Sequence, residues 1–111
     1  MSYRVETIEN FEREAKRLKK KFPSLKQEIN DLIDILEENA FYGISMYDGF
    51  YKIRLGIKSK GKGKRAGARV ITCVKVVAEK VYLVSIYDKS EQSDIAESEL
   101  KRLFTEISDT E

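Results

Sequence analysis

Hydrophobic positions along the chain change period several times, and each change marks an element. From Tyr3 to Ile8 the alternation of Tyr3, Val5 and Thr7 against Arg4, Glu6 and Ile8 predicts a first strand. Phe11, Ala15, Leu18 and Phe22 then recur at helical spacing behind Asn10, a candidate N-cap, with Glu12 and Glu14 in the first turn. This helix should run to about Lys21, because Pro23 cannot continue it. Ser24 followed by Gln27 has the spacing of a capping box, and Leu25, Ile29, Leu32, Ile33, Leu36 and Ala40 form the stripe of a second helix reaching about Asn39. The two together predict a helical hairpin laid on a sheet, with these apolar residues in the core.

Period two returns after Asp48-Gly49. Tyr51, Ile53, Leu55 and Ile57 fall on one face of a strand and Lys52, Arg54 and Lys58 on the other, with Gly56 a possible bulge position. The glycines at 61, 63 and 67 interrupt the pattern as a hairpin connection. Residues 68–78 are rich in β-branched side chains, with Val70, Thr72, Val74 and Val76 alternating against Arg69, Ile71, Cys73, Lys75 and Val77. A tight turn at Ala78-Glu79-Lys80 leads into a third strand, where Tyr82, Val84 and Ile86 oppose Leu83, Ser85, Tyr87 and Lys89. A last helix is expected from Ser93 or Asp94 to about Ile107, with Ile95, Leu100, Leu103, Phe104 and Ile107 inward and Asp94, Glu97 and Glu99 near its N-terminal end. The predicted fold is α+β: an N-terminal strand, a helical hairpin, a three-stranded antiparallel meander and a C-terminal helix, one sheet with its helices on one face.

Length makes this a single domain over residues 1–111, since 111 residues support one modest core. A hydrophobic share of 41% beside 36% charged residues describes a folded, soluble chain rather than a disordered one. No apolar run approaches the ~20 residues that span a bilayer, and MSYRVETIEN lacks the apolar region of a signal peptide, so a cytoplasmic location is expected. With one cysteine, Cys73, and no histidine, the chain excludes Ser-His-Asp and Cys-His nucleophile systems, and no metal site or cofactor is expected. Cys73 reads as a small buried filler.

Charge distribution carries more than the net value of +2. Between residues 52 and 69 stand Lys52, Arg54, Lys58, Lys60, Lys62, Lys64, Arg65 and Arg69, with no acidic residue among them. Such a field attracts a polyanion through phosphate contacts and counterion release. Strand parity gathers Lys52, Arg54, Lys58, Arg69, Tyr87 and Lys89 on the sheet face away from the helices. Like charges side by side cost free energy, so an anion should compensate them, and RNA fits: cations for phosphates, and Tyr87 to stack on a base or share a proton.

The order of elements, with YKIRL at 51–55, the glycine-rich basic loop leading into GARVI at 67–71, and IYDKSEQSD at 86–94, resembles the RelE/ParE superfamily of bacterial toxins, nearest its RelE/HigB-type branch. The resemblance covers nearly the whole chain. It implies the toxin of a type II toxin–antitoxin system: an endoribonuclease that enters the ribosomal A site, cuts mRNA there, and is held inactive by a cognate antitoxin. Lys52 and Arg54 match the two cations of the family's central strand, and Arg69 the arginine opening its next strand. Ser90 and Ala96 stand where the best-known RelE pattern has a further arginine and a catalytic tyrosine, whereas Tyr87 and Lys89 fit the Y-x-K pattern of the HigB-like branch.

The implied reaction is metal-independent attack of a ribose 2′-OH on its own 3′ phosphate, leaving a 2′,3′-cyclic phosphate and a 5′-OH. Arg54 and Arg69 are the candidates for stabilising the phosphorane, because guanidinium offers a fixed fork to phosphate oxygens. Proton transfers fall to Tyr87 or to a lysine, Lys58 or Lys89. Lys52, Lys60, Lys62, Lys64 and Arg65 are the expected RNA grip. Two alternatives share these features: a ParE-like gyrase inhibitor on the same fold, and a non-catalytic RNA-binding module.

Overall fold

The computed structural model describes residues 2–61 and 66–110. Strand β1 (Arg4–Thr7) is followed by the helices α1 (Glu9–Lys21) and α2 (Leu25–Glu38), a two-residue strand β2 (Ile44–Ser45) and the strand β3 (Phe50–Leu55). A 3-10 turn at Lys58–Lys60 precedes β4 (Ala68–Lys75), β5 (Lys80–Asp88) and the helix α3 (Glu97–Thr110). The α+β class holds, and the meander is the centre of a larger sheet of order β1-β5-β4-β3-β2. Its edge strand β1 runs parallel to β5, from Arg4 opposite Lys80 to Thr7 opposite Leu83.

Amphipathic stripes explain the helices. Phe11, Ala15 and Leu18 of α1 and Leu25, Ile29, Leu32 and Leu36 of α2 are buried, each such large side chain worth ~1.5–3 kcal/mol. The caps differ from expectation. Helix α1 starts one residue before Asn10, which is buried inside it and donates from Nδ2 to the Val84 carbonyl at 3.1 Å and to Glu14 at 2.9 Å. Ser24 flanks α2 without capping it; its hydroxyl bonds Glu28 at 3.1 Å, while Gln27 turns to Asp31.

The placement of the last helix corrects the expectation that all helices share one face. Phe104 of α3 meets the Phe50 ring and lies under the Lys75 ammonium. Phe50 alternates with Ile53, which borders the same groove as Leu32 and Ile35 of α2. Helices α1 and α2 therefore cover one face and α3 part of the other, where Ile71, Cys73 and Tyr82 are also buried.

A bulge in the β4–β5 pairing has a second effect on parity. Ile71 pairs with Ser85 but Thr72 pairs with Leu83, so Val84 is the extra residue and Leu83, not Val84, shares a face with Ile86. Beyond Lys75 the chain leaves the strand early: Val76 and Val77, expected in β4, are exposed in the turn, with Glu79 at φ 54°. Helix α3 likewise starts at Glu97, leaving Ser93 and Asp94 in the preceding turn. Gly67 has a steric cause, since a Cβ there would stand 2.2 Å from the Leu55 carbonyl oxygen.

Candidate functional site

Antiparallel register lines up the chemistry that alternation separated from the core. Arg54 of β3 pairs with Arg69 of β4, and Arg69 with Tyr87 of β5, so three candidate side chains cross the sheet in one row. Lys52 stands two residues along β3 on the same face, opposite Ile71. Lys89 follows the end of β5, its N–H donating to the Gly67 carbonyl at 3.0 Å. Ile44, Lys52, Arg54, Arg69, Lys89 and Ser93 line a cleft of about 470 Å³ on the sheet face beside α3.

Its members differ in freedom. Arg54 is exposed, whereas Arg69 is buried, with Nη1 donating to the Ala68 carbonyl at 3.1 Å. Two arginines directly opposite on neighbouring strands repel, and Arg69 is held in place despite that. Tyr87 is 4% exposed, and burial, with the Asp94 carboxylate adding to it, pushes its phenol up to about 12 against the opposing pull of Arg69. The buried hydroxyl lies beside Asp94 without a hydrogen bond of good geometry.

Asp94 is the neighbour of these cations that sequence reasoning missed. Its Oδ1 accepts from the Ile95 N–H at 2.9 Å and from the Lys52 ammonium at 3.0 Å. These bonds, the backbone one first, hold its carboxyl below the usual range. Lys89 donates to the Ser93 carbonyl at 2.9 Å. The one signal in the sequence was an acidic residue just before an apolar helix, which also describes an ordinary helix-terminal acid.

Other candidates lie elsewhere. Lys60 points its ammonium at Asp88 Oδ1 (2.5 Å), the Ala66 carbonyl (2.5 Å) and the Ser90 hydroxyl (3.1 Å). Asp88, fully buried, also accepts from the Ser90 N–H at 2.9 Å and its hydroxyl at 2.7 Å. Burial alone would raise the Asp88 carboxyl, but the Lys60 and Ser90 bonds outweigh it and bring it to about 2. One ammonium thus pins residues on both sides of the basic loop to the end of β5. Lys58 sits in the 3-10 turn, its N–H donating to Glu28 of α2 at 2.6 Å, and does not line the cleft. Lys62, Lys64 and Arg65 fall outside the described residues. Among the described residues no group of three or more His, Cys, Asp or Glu side chains is placed to hold a metal ion, and no helix is long and apolar enough to cross a membrane.

Comparison with known proteins gives two findings. The family described as the RelE toxin of the RelE/RelB toxin–antitoxin system matches residues 3–110. Among solved structures, the chain is similar to the free state of a double arginine-to-alanine mutant of the E. coli toxin RelE, with a TM-score of 0.59 and 17% identity over 84% of this chain and 90% of that one. That likeness is one of fold.

Proposed function

Because the chain belongs to the RelE toxin family and is thereby the toxin of a type II toxin–antitoxin system, we propose that its sheet cleft cuts mRNA on the ribosome without a metal ion. The observation that carries this reading is the row Arg54, Arg69 and Tyr87 across three strands, in which Arg54 and Arg69 line the cleft with Lys52 and Lys89 and Tyr87 lies buried beside Arg69. Stability does not explain it, since neighbouring cations weaken a sheet. A phosphodiester is the ligand whose charge complements such a row.

In the reaction, the ribose 2′-oxygen bonds to phosphorus and the bond to the 5′-oxygen breaks, leaving a 2′,3′-cyclic phosphate and a 5′-OH. Arg69 and Arg54 face the negative charge gathering on the phosphorane, a role worth ~10²–10³ in rate per donor in other enzymes. Arg69 is the more preorganised of the two, because burial fixes its guanidinium before substrate arrives. Tyr87 stays protonated at neutral pH, which suits it to give its proton to the departing 5′-oxygen. Lys89 lines the cleft and adds a cation beside the phosphate; Lys58, the other lysine considered, lies off it. With no histidine in the chain, a weak acid–base set fits an enzyme that relies on the ribosome to order its messenger. The cognate antitoxin keeps the toxin silent, and in the cytoplasm both meet translating ribosomes.

Mapping messenger 5′ ends in the first minutes after induction tests this. Wild type should produce cuts in register with translated codons; Arg69→Ala should lose them ~100-fold or more, and Tyr87→Phe at least ~10-fold. Losses below tenfold in both variants would remove these residues from the chemistry. Growth arrest without cuts would point to a gyrase-type target instead.

A further inference from the structure

Asp94 puts an exposed acidic group against the cation cleft, from a turn that is anchored by the buried Ile95 beside it. Its side chain is 61% exposed, yet its carboxylate reaches back to the Lys52 ammonium at 3.0 Å. Lys89 holds the same turn through the Ser93 carbonyl at 2.9 Å, and the Gln92 amide closes on the Asp94 carbonyl at 2.9 Å. Ser93 itself lines the cleft. Residues 92–95 are thus folded against the cleft, and each of its two lysines is spent on that turn rather than left to an outside ligand.

Carboxylate and phosphodiester present the same chemistry to an ammonium: negative oxygens that accept charge-assisted hydrogen bonds. An exposed lysine–carboxylate pair is weak, so it yields to a polyanion that meets several cations at once. We infer that the Asp94 carboxylate is an internal stand-in for an RNA phosphate, and that Lys52 with Lys89 forms a phosphate subsite beside the reacting phosphate at Arg54 and Arg69. This rests on the reading of the cleft as the RNA site and deepens it by assigning the second phosphate. RNA entry displaces the carboxylate, frees both lysines, and moves Asp94 away from Tyr87. The free protein accordingly binds RNA more weakly than its cleft allows, by the fraction of time the pair is closed, about fivefold for an exposed pair.

Asp94→Asn tests the assignment cleanly, because asparagine keeps an oxygen for the Ile95 N–H while removing the charge. The probe is a fluorescein-labelled hexanucleotide of 2′-O-methyl RNA, which lacks the attacking hydroxyl, titrated with the full chain and followed by anisotropy at two salt concentrations. Asp94→Asn should bind about fivefold more tightly at low salt, with a steeper salt dependence. In the Lys52→Ala background the gain should shrink to less than about twofold, as coupled residues require. Equal or weaker binding by Asp94→Asn would overturn the inference, and so would a gain that keeps its size without Lys52, since that marks a general charge effect. A wild type that binds the probe and cuts messenger, with no gain in the variant, defeats the subsite alone. Absence of both binding and in-register cuts in wild type defeats the cleft reading as well.

Discussion

Two lysine–aspartate pairs, one at each end of the residues 88–94 segment, show how one kind of contact serves opposite ends. Lys60 and Asp88 are sealed, with side chains 10% and 0% exposed, and Asp88 is completed by two further bonds from Ser90. Lys52 and Asp94 are open, at 27% and 61%. Breaking the sealed pair strands charge away from water, although the Lys21 ammonium also approaches Asp88 Oδ2 at 3.7 Å, whereas either member of the open pair can turn to solvent or to an incoming anion. Sealed, the contact fixes the base of the basic loop against the end of β5; open, it leaves a cation available to substrate.

The largest effect should come from cutting the sealed pair. Asp88→Ala leaves the Lys60 ammonium with the Ala66 carbonyl, the Ser90 hydroxyl and the Phe22 ring face but no anion among its described contacts, and removal of one partner from a buried pair costs ~3–5 kcal/mol. Chemical denaturation should show a midpoint shift of that size with little change in slope. A loss under ~1 kcal/mol would place this pair in the same class as the open one. Catalysis in Asp88→Ala should fall too, since Tyr87 precedes it on β5 and Lys89 follows the strand's end.

Acid should sharpen the contrast by a smaller amount. The folded Asp88 carboxyl titrates at about 2, below its ordinary value of 3.8. A depressed folded value adds stability that is complete above the unfolded value and is lost as pH falls through the folded one. Unfolding free energy should therefore hold steady down to about pH 5 and decline between about 4 and 2, with up to ~2 kcal/mol of the decline traceable to this group. Asp88→Asn should flatten that part of the curve. An unchanged acid slope in Asp88→Asn would mean that the Lys60 bond contributes nothing net.

How much of this the sequence reveals depends on whether a feature is local. The row Arg54, Arg69 and Tyr87 was readable because alternation and hairpin order need only neighbouring strands. Beyond it, parity failed at Val84, since a bulge adds one residue without any glycine or proline to announce it. Strand β2 has two residues, too few to show a period, and β1 joins β5 through a parallel pairing that no turn dictates. Alternation set Ile71 and Cys73 on the cation face and Tyr82 on the other; the packed structure buries all three on the cation face, part of which α3 covers. Lys60 looked like one more cation of the basic run, and its buried partner lies 28 residues away. Asp94 reaches Lys52 at the cleft because α3 starts at Glu97, three or four residues later than expected, leaving a turn that folds back. Side chains set by strand alternation were legible; those set by long-range pairing or by where a helix begins were not.

The smallest effect is the one that separates the two pairs most sharply. Asp94→Asn should change folding stability by less than ~1 kcal/mol, because an exposed pair gains little Coulomb energy against water and gives some back in side-chain entropy. Its retained oxygen still takes the Ile95 N–H, so the entry to α3 should not fray. Thermal melts of wild type and variant at low and high salt measure it: the difference in midpoint should be a few degrees at most and should shrink as salt rises. A residue that is nearly silent in folding while changing RNA affinity is placed for its ligand rather than for its fold. Should Asp94→Asn instead cost as much stability as Asp88→Ala, the turn at 92–95 would be a structural brace, and the open pair would belong with the sealed one.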